Sequence, residues 1–290
     1  MTIKSIIDEY NTNEISLECL FCDIEPALEA LNDTGKDDAP GPSVMSNIRQ
    51  RTKQIVDHLI TLINKAFSYL YNSTTKILQT DHGFSDQFRQ AVKKQKPLQA
   101  VKLIVYNYQD GFLEQEMSKW DNVIQKIIRG IRTDMKSLSL SGNANELDMK
   151  ASDLTASVLK QIGAPSNVTD MGLYFLHLKR TFRKEKVERL FKSSELRNYY
   201  NMTQGCEKLK TVIQTKQSFM RESTQRIKNT LSLVTESHRV NDGMRKRVIK
   251  QSSNVTTLCN MYTSFLKAYT QLKTEEILSY RAVCKKLLRF

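Results

Sequence analysis

Residues 255–272 read VTTLCNMYTSFLKAYTQL, and their spacing decides the fold class. Val255, Leu258, Tyr262, Phe265, Tyr269 and Leu272 recur at alternating intervals of three and four. That is the period of a helix that lays an apolar seam against a neighbour, as in a coiled coil. Carried outward, the pattern predicts one helix over about 242–288, roughly 70 Å long at about 1.5 Å per residue. Its seam makes this helix the candidate surface for an oligomer. All five prolines fall at or before Pro165, so the rest of the chain meets no proline break. It reads as three helices, about 170–192, 194–236 and 242–288.

Working toward the N-terminus, Gly163-Ala164-Pro165-Ser166-Asn167 is a loop that separates these helices from one over 146–162. Before it, a helix over about 112–138 carries the stripe Trp120, Val123, Ile124, Ile127, Ile131, Met135 and Leu138, with a loop from Ser139 to Asn145. Two shorter helices are expected to flank Pro97. A long helix from Ser43 to about Thr80 carries Ile48, Ile55, Leu59, Leu62, Ala66, Leu70 and Ile77, and His82-Gly83 is expected to end it. Residues 32–42, NDTGKDDAPGP, read as a flexible linker. Two short helices precede it, over 2–10 and about 24–31. The implied organisation is an acidic leader at 1–18, a short helix and linker at 19–42, an N-terminal helical half at 43–163 and a C-terminal long-helix half at 164–290.

Composition agrees with that reading. Only ten glycines and five prolines occur in 290 residues, too few for the turns of a β-rich chain. The expected class is all-α, an elongated multi-helix bundle with long amphipathic helices. No run reaches the roughly 18 apolar residues that a membrane span needs. The opening MTIKSIIDEY lacks the basic start and apolar core of a secretory signal, so synthesis in a cytoplasm is expected. Five cysteines, Cys19, Cys22, Cys206, Cys259 and Cys284, then read as reduced thiols. Cys19 and Cys22 form a C-x-x-C with no second ligand pair for a metal.

No catalytic constellation stands out. The histidines His58, His82, His177 and His238 are scattered, and no glycine-rich phosphate loop or G-x-S-x-G is present. A non-enzyme without cofactor or metal is expected.

Charge is divided unevenly. Residues 1–42 hold ten acids against Lys4 and Lys36, a net of −8, so a chain of +13 overall carries +21 in residues 43–290. Such a body attracts polyanions. Its candidate contacts are Lys179, Arg180, Arg183, Lys184, Lys186, Arg189 and Lys192, interleaved with aromatics, and Arg245, Lys246, Arg247 and Lys250. Lys285, Lys286 and Arg289 add charge at the C-terminus. On a helix, the cations of 173–192 wrap round rather than forming one stripe, so base-specific reading is not expected. Nonspecific attraction to nucleic acid or anionic lipid, and a merely solvated face, both remain open.

Ser16-Leu17-Glu18 lies between the two short N-terminal helices. There the chain resembles the internal head proteins of giant tailed bacteriophages, which begin with a short acidic propeptide ending in a small residue, any residue, then glutamate. The resemblance implies a cut by a prohead protease after Glu18, and a helix-rich basic body packaged with DNA inside the phage head. Capsid proteins are the further partners it implies. Ser193-Ser194-Glu195 has the same pattern; position, acidic flank and the basic body behind it favour the first. The competing expectations are a cytoplasmic helical adaptor or a BAR-like protein that binds membrane surfaces, and a host-directed protein injected with the genome.

Overall fold

The computed structural model describes residues 81–93, 101–107, 111–141, 151–189, 193–236 and 242–289, with scattered positions between 50 and 75. Those scattered positions are helical. Nine elements follow among the described residues: α1 (Asp81–Lys93), β1 (Val101–Asn107), α2 (Phe112–Ser141), α3 (Ala151–Gln161), α4 (Met171–Thr181), β2 (Arg183–Arg189), α5 (Ser193–Thr203), α6 (Gly205–Glu236) and α7 (Asp242–Leu288). The fold is an all-α multi-helix bundle with one two-stranded antiparallel ribbon.

Local chemistry sets the helix ends. Gly111 stands in the left-handed region at φ 77° and accepts the amide of Gln115 at 2.9 Å, opening α2. Gly163 (φ 74°) closes α3: its amide reaches the Lys160 carbonyl at 3.1 Å, and that of Ala164 reaches Leu159 at 3.0 Å. This crossed pair is a Schellman cap, which calls for glycine at the left-handed position. The predicted 163–167 loop is thereby a helix stop. Lysines or arginines close the last turns of α3, α4 and α7, where the dipole favours them.

Several expectations are corrected. The helix predicted over 170–192 ends at Thr181, and 183–189 is a strand. Its partner is β1, in place of a helix after Pro97, with register from Val101 opposite Arg189 to Asn107 opposite Arg183. The run VKLIVYN at 101–107 is rich in β-branched and aromatic residues. A strand leaves a row of amides and carbonyls to satisfy, and the charged segment RKEKVER supplies the ladder. The helix predicted over 194–236 breaks at Gln204, whose amide turns back to Asn201 at 3.1 Å. Thr203 and Gly205, poor helix formers, flank the break. His82 and Gly83 lie in the first turn of α1 rather than ending a helix. The helix predicted from 146 is described from Ala151.

The chain forms two compact units. One takes the described residues up to Phe67 with Lys119–Asp170 and Lys216–Thr263; the other takes Ser68–Ser118, Met171–Thr215 and Ser264–Phe290. Each draws on chain before and after residue 163.

In the first unit, Trp120, Ile124, Ile131, Leu154, Val158, Met220, Leu258 and Tyr262 are buried. Thr155 donates to the Met261 sulfur at 3.7 Å, and Phe219 meets Tyr262 edge-on at 6.5 Å. In the second, α1, α5 and the end of α7 share a core of Phe84, Phe88, Leu196, Val283, Cys284 and Leu287. Phe88 stacks on Tyr200 at 4.0 Å, and the Arg281 guanidinium sits 5.5 Å from the Phe84 ring centre. Of the stripe predicted before Thr80, Leu70 is buried alongside Ile63, Phe67 and Thr74; its other members lie outside the described residues.

The seam of α7 is buried as predicted, and the helix around it is buried or half-buried on its other sides from Lys250 to Arg281. Its hydroxyl residues are accommodated by bonding back into their own helix: Thr256 to the Ser252 carbonyl at 3.0 Å and Thr270 to Leu266 at 2.8 Å.

Candidate functional site

Four carboxylates of α2 organise the buried polar chemistry. In the first unit, the Asp134 side chain is 1% exposed. Arg247 Nε lies 3.0 Å from each of its oxygens, and Nη2 adds a third bond to Oδ1. Gln251 Nε2 donates to Oδ2 at 2.6 Å, and Asn254 Nδ2 in turn donates to Gln251 Oε1 at 3.2 Å. Arg247, Gln251 and Asn254 follow at intervals of four and three, so one face of α7 presents all three.

Between three and four turns earlier on α2, in the same unit, half-buried Asp121 accepts the Tyr262 hydroxyl at 2.5 Å and pairs with Lys216. Burial, then the Asp121 charge and hydrogen bond, push the Tyr262 phenol far above its ordinary range, so it remains a donor. In the second unit, Tyr174 donates to Glu116 at 2.7 Å, and Lys273 bridges Glu114 at 2.6 Å and Glu276 at 2.9 Å. Burial raises Glu276 to about 7, an effect that Lys273, shared with Glu114, does not cancel.

These groups hold one another. An ion pair closed by hydrogen bonds on both sides positions helices. Cys259 and Cys284 are buried free thiols, each pushed up to about 12 by burial, which removes the thiolate that a nucleophile needs. Among the described residues, no group of three or more His, Cys, Asp or Glu is placed to hold a metal. No described helix is long and apolar enough to cross a membrane.

The predicted polyanion contacts separate. Lys179 and Arg180 are exposed in the last turn of α4. Arg183, Lys184, Lys186 and Arg189 occupy β2 rather than a continuing helix; their side chains and Lys192 lie outside the described residues. Arg245 and Lys246 are placed on α7 by backbone only. Arg247 turns inward to Asp134 with its side chain 14% exposed, and Lys250 is half-buried. Arg247 therefore leaves the set of surface cations. Ser16, Leu17 and Glu18, with Cys19 and Cys22, lie outside the described residues.

Sequence reasoning missed Asp134 and Asp121. A signal existed: Asp134 falls three residues after Ile131 on the apolar stripe of α2, where a carboxylate requires a buried partner.

Comparison of the chain with protein-family models, with curated proteins and with solved structures finds no match.

Proposed function

We propose that the chain is a non-enzymatic bacteriophage virion component, an internal head or capsid-associated protein packaged with DNA and matured by a prohead protease that cuts after Glu18. The observation that carries this reading is the sorting of charge. The acidic stretch at 1–42 stands apart from a body of +21. Within that body, Asp134 and Glu276 are buried with Arg247 and Lys273, so these pairs withdraw charge of both signs and leave the positive surplus in place. What faces solvent is correspondingly cationic, the property that favours residence in a DNA-filled capsid. The Ser16-Leu17-Glu18 motif supports the maturation step by resemblance.

One observation favours a membrane surface instead. On α4, Leu173 and Leu176 are 40% and 43% exposed, and exposed Lys179 and Arg180 follow them. Apolar side chains beside cations suit an anionic lipid interface.

Titration of the full chain with random-sequence duplex DNA and with phosphatidylserine-containing vesicles, at low and moderate salt, separates the two. The virion reading expects duplex binding without sequence preference that weakens steeply with salt. Vesicle binding without duplex binding supports the membrane alternative.

A further inference from the structure

Between Lys119 and Lys136, α2 contains five cations and two acids, an ordinary mixture in sequence. Folding sorts them. Asp121 turns to Tyr262 and Lys216, and Asp134 turns to Arg247 and Gln251. The exposed residues over this span are Lys119, Asn122, Gln125, Lys126, Arg129, Thr133 and Lys136. Among the described residues, that face carries four cations, two amides and a hydroxyl, with neither a carboxylate nor an apolar side chain. Arg132 lies half-buried within the same span.

Two other described helices differ on their solvent faces. On α6, Arg226 lies 3.5 Å from Glu222 one turn away, and on α1, Arg89 lies 3.9 Å from Asp86. Such mixed pairs are how an exposed helix ordinarily gains a few tenths of a kcal/mol, whereas like charges one turn apart cost a similar amount. Lys126 and Arg129 stand one turn apart, and among the described residues neither lies within ion-pair distance of a carboxylate. Lys126 and Arg129 forgo that stabilisation.

Resting on the reading of the chain as DNA-associated, we infer that this face of α2 is its duplex-contacting surface. From Lys119 to Lys136 it extends roughly 26 Å, and a helix of this width fits a major groove about 12 Å across. Four cations neutralise phosphates, while Asn122, Gln125 and Thr133 hydrogen-bond to phosphate and sugar without reading sequence. Among its described residues this face exposes no apolar side chain, which distinguishes it from α4 and argues for nucleic acid over lipid, because a membrane-seated helix inserts leucine or aromatic residues.

The test compares full-length variants on a random-sequence duplex across a salt series. Neutralising the face with Lys119→Gln, Lys126→Gln, Arg129→Gln and Lys136→Gln should make the log–log salt slope shallower by about 3 to 4 and weaken low-salt binding at least about tenfold. A charge-keeping set, Lys119→Arg, Lys126→Arg, Arg129→Lys and Lys136→Arg, should bind as the parent does and guards against misfolding. An equal loss of charge elsewhere, at exposed Lys179, Arg180, Lys285 and Lys286, should change the slope much less. Equal losses from both neutralised sets, or no loss from the α2 set, overturn the inference while leaving duplex binding intact. A parent chain that does not bind duplex at all overturns the DNA-associated reading itself.

Discussion

Arg247 approaches Asp134 with its Nε 3.0 Å from each carboxylate oxygen, while Gln251 closes the far side at 2.6 Å. The pair joins α2 to α7 within the first unit, at a carboxylate that solvent does not reach. Removing the cation alone strands a buried charge. Arg247→Ala should cost about 3–5 kcal/mol in unfolding free energy. The double variant Asp134→Leu with Arg247→Met removes both charges and should recover most of that loss. Urea unfolding of the two single variants and the double variant completes the cycle. Additive losses would show that the pair is not coupled.

That pair also marks the limit of what could be read in advance. The seam from Val255 to Leu272 announces α7, and the stripe from Trp120 to Ile131 announces α2, because apolar side chains three and four apart must share a buried face. The same rule describes one face of a helix at a time. It is silent on Gln251 and Asn254, which continue the seam's spacing, and on Thr256 on another side of α7, all buried through hydrogen bonds rather than apolar character. The β1–β2 ribbon is illegible for another reason. A strand at 101–107 is realised only when a segment more than 70 residues away pairs with it, and RKEKVER carries little strand preference of its own. The surface set suffered likewise: Arg247 looked like any other basic residue until Asp134 was seen across from it.

Glu276 makes stability depend on pH. Burial pushes its carboxyl up to about 7 in the folded chain from the ordinary 4.5, so between those values the folded chain holds a proton that the unfolded chain has lost. Stability contributed by this group is therefore full below about 4.5 and falls as pH rises toward about 7. Glu276→Gln should flatten this part of the profile and raise stability above pH 7 by on the order of 2 kcal/mol relative to the parent. Unfolding midpoints measured from pH 4 to pH 8 decide it, and parallel profiles for parent and variant would count against the assignment.

Thr274 is 7% exposed, and its hydroxyl has no hydrogen-bond partner among the described residues. Thr270, one turn earlier on the same helix, bonds to the Leu266 carbonyl at 2.8 Å. The two therefore respond differently to valine, which keeps the branched shape and removes the hydroxyl. Thr274→Val should stabilise by about 1 kcal/mol, since a buried unpaired hydroxyl costs about 1–3 kcal/mol. Thr270→Val loses a made bond and should be neutral or destabilising. Thermal melting of the two variants checks the ordering, and the reverse ordering would contradict it.

The central claim is that the acidic leader belongs to a precursor and the cationic body to the packaged protein. The most direct test is intact-mass and N-terminal peptide analysis of the protein from purified phage particles. The account predicts a mature chain beginning at Cys19, with residues 1–18 and their net charge of −3 removed. A chain in those particles that still begins at Met1 or Thr2 would contradict it.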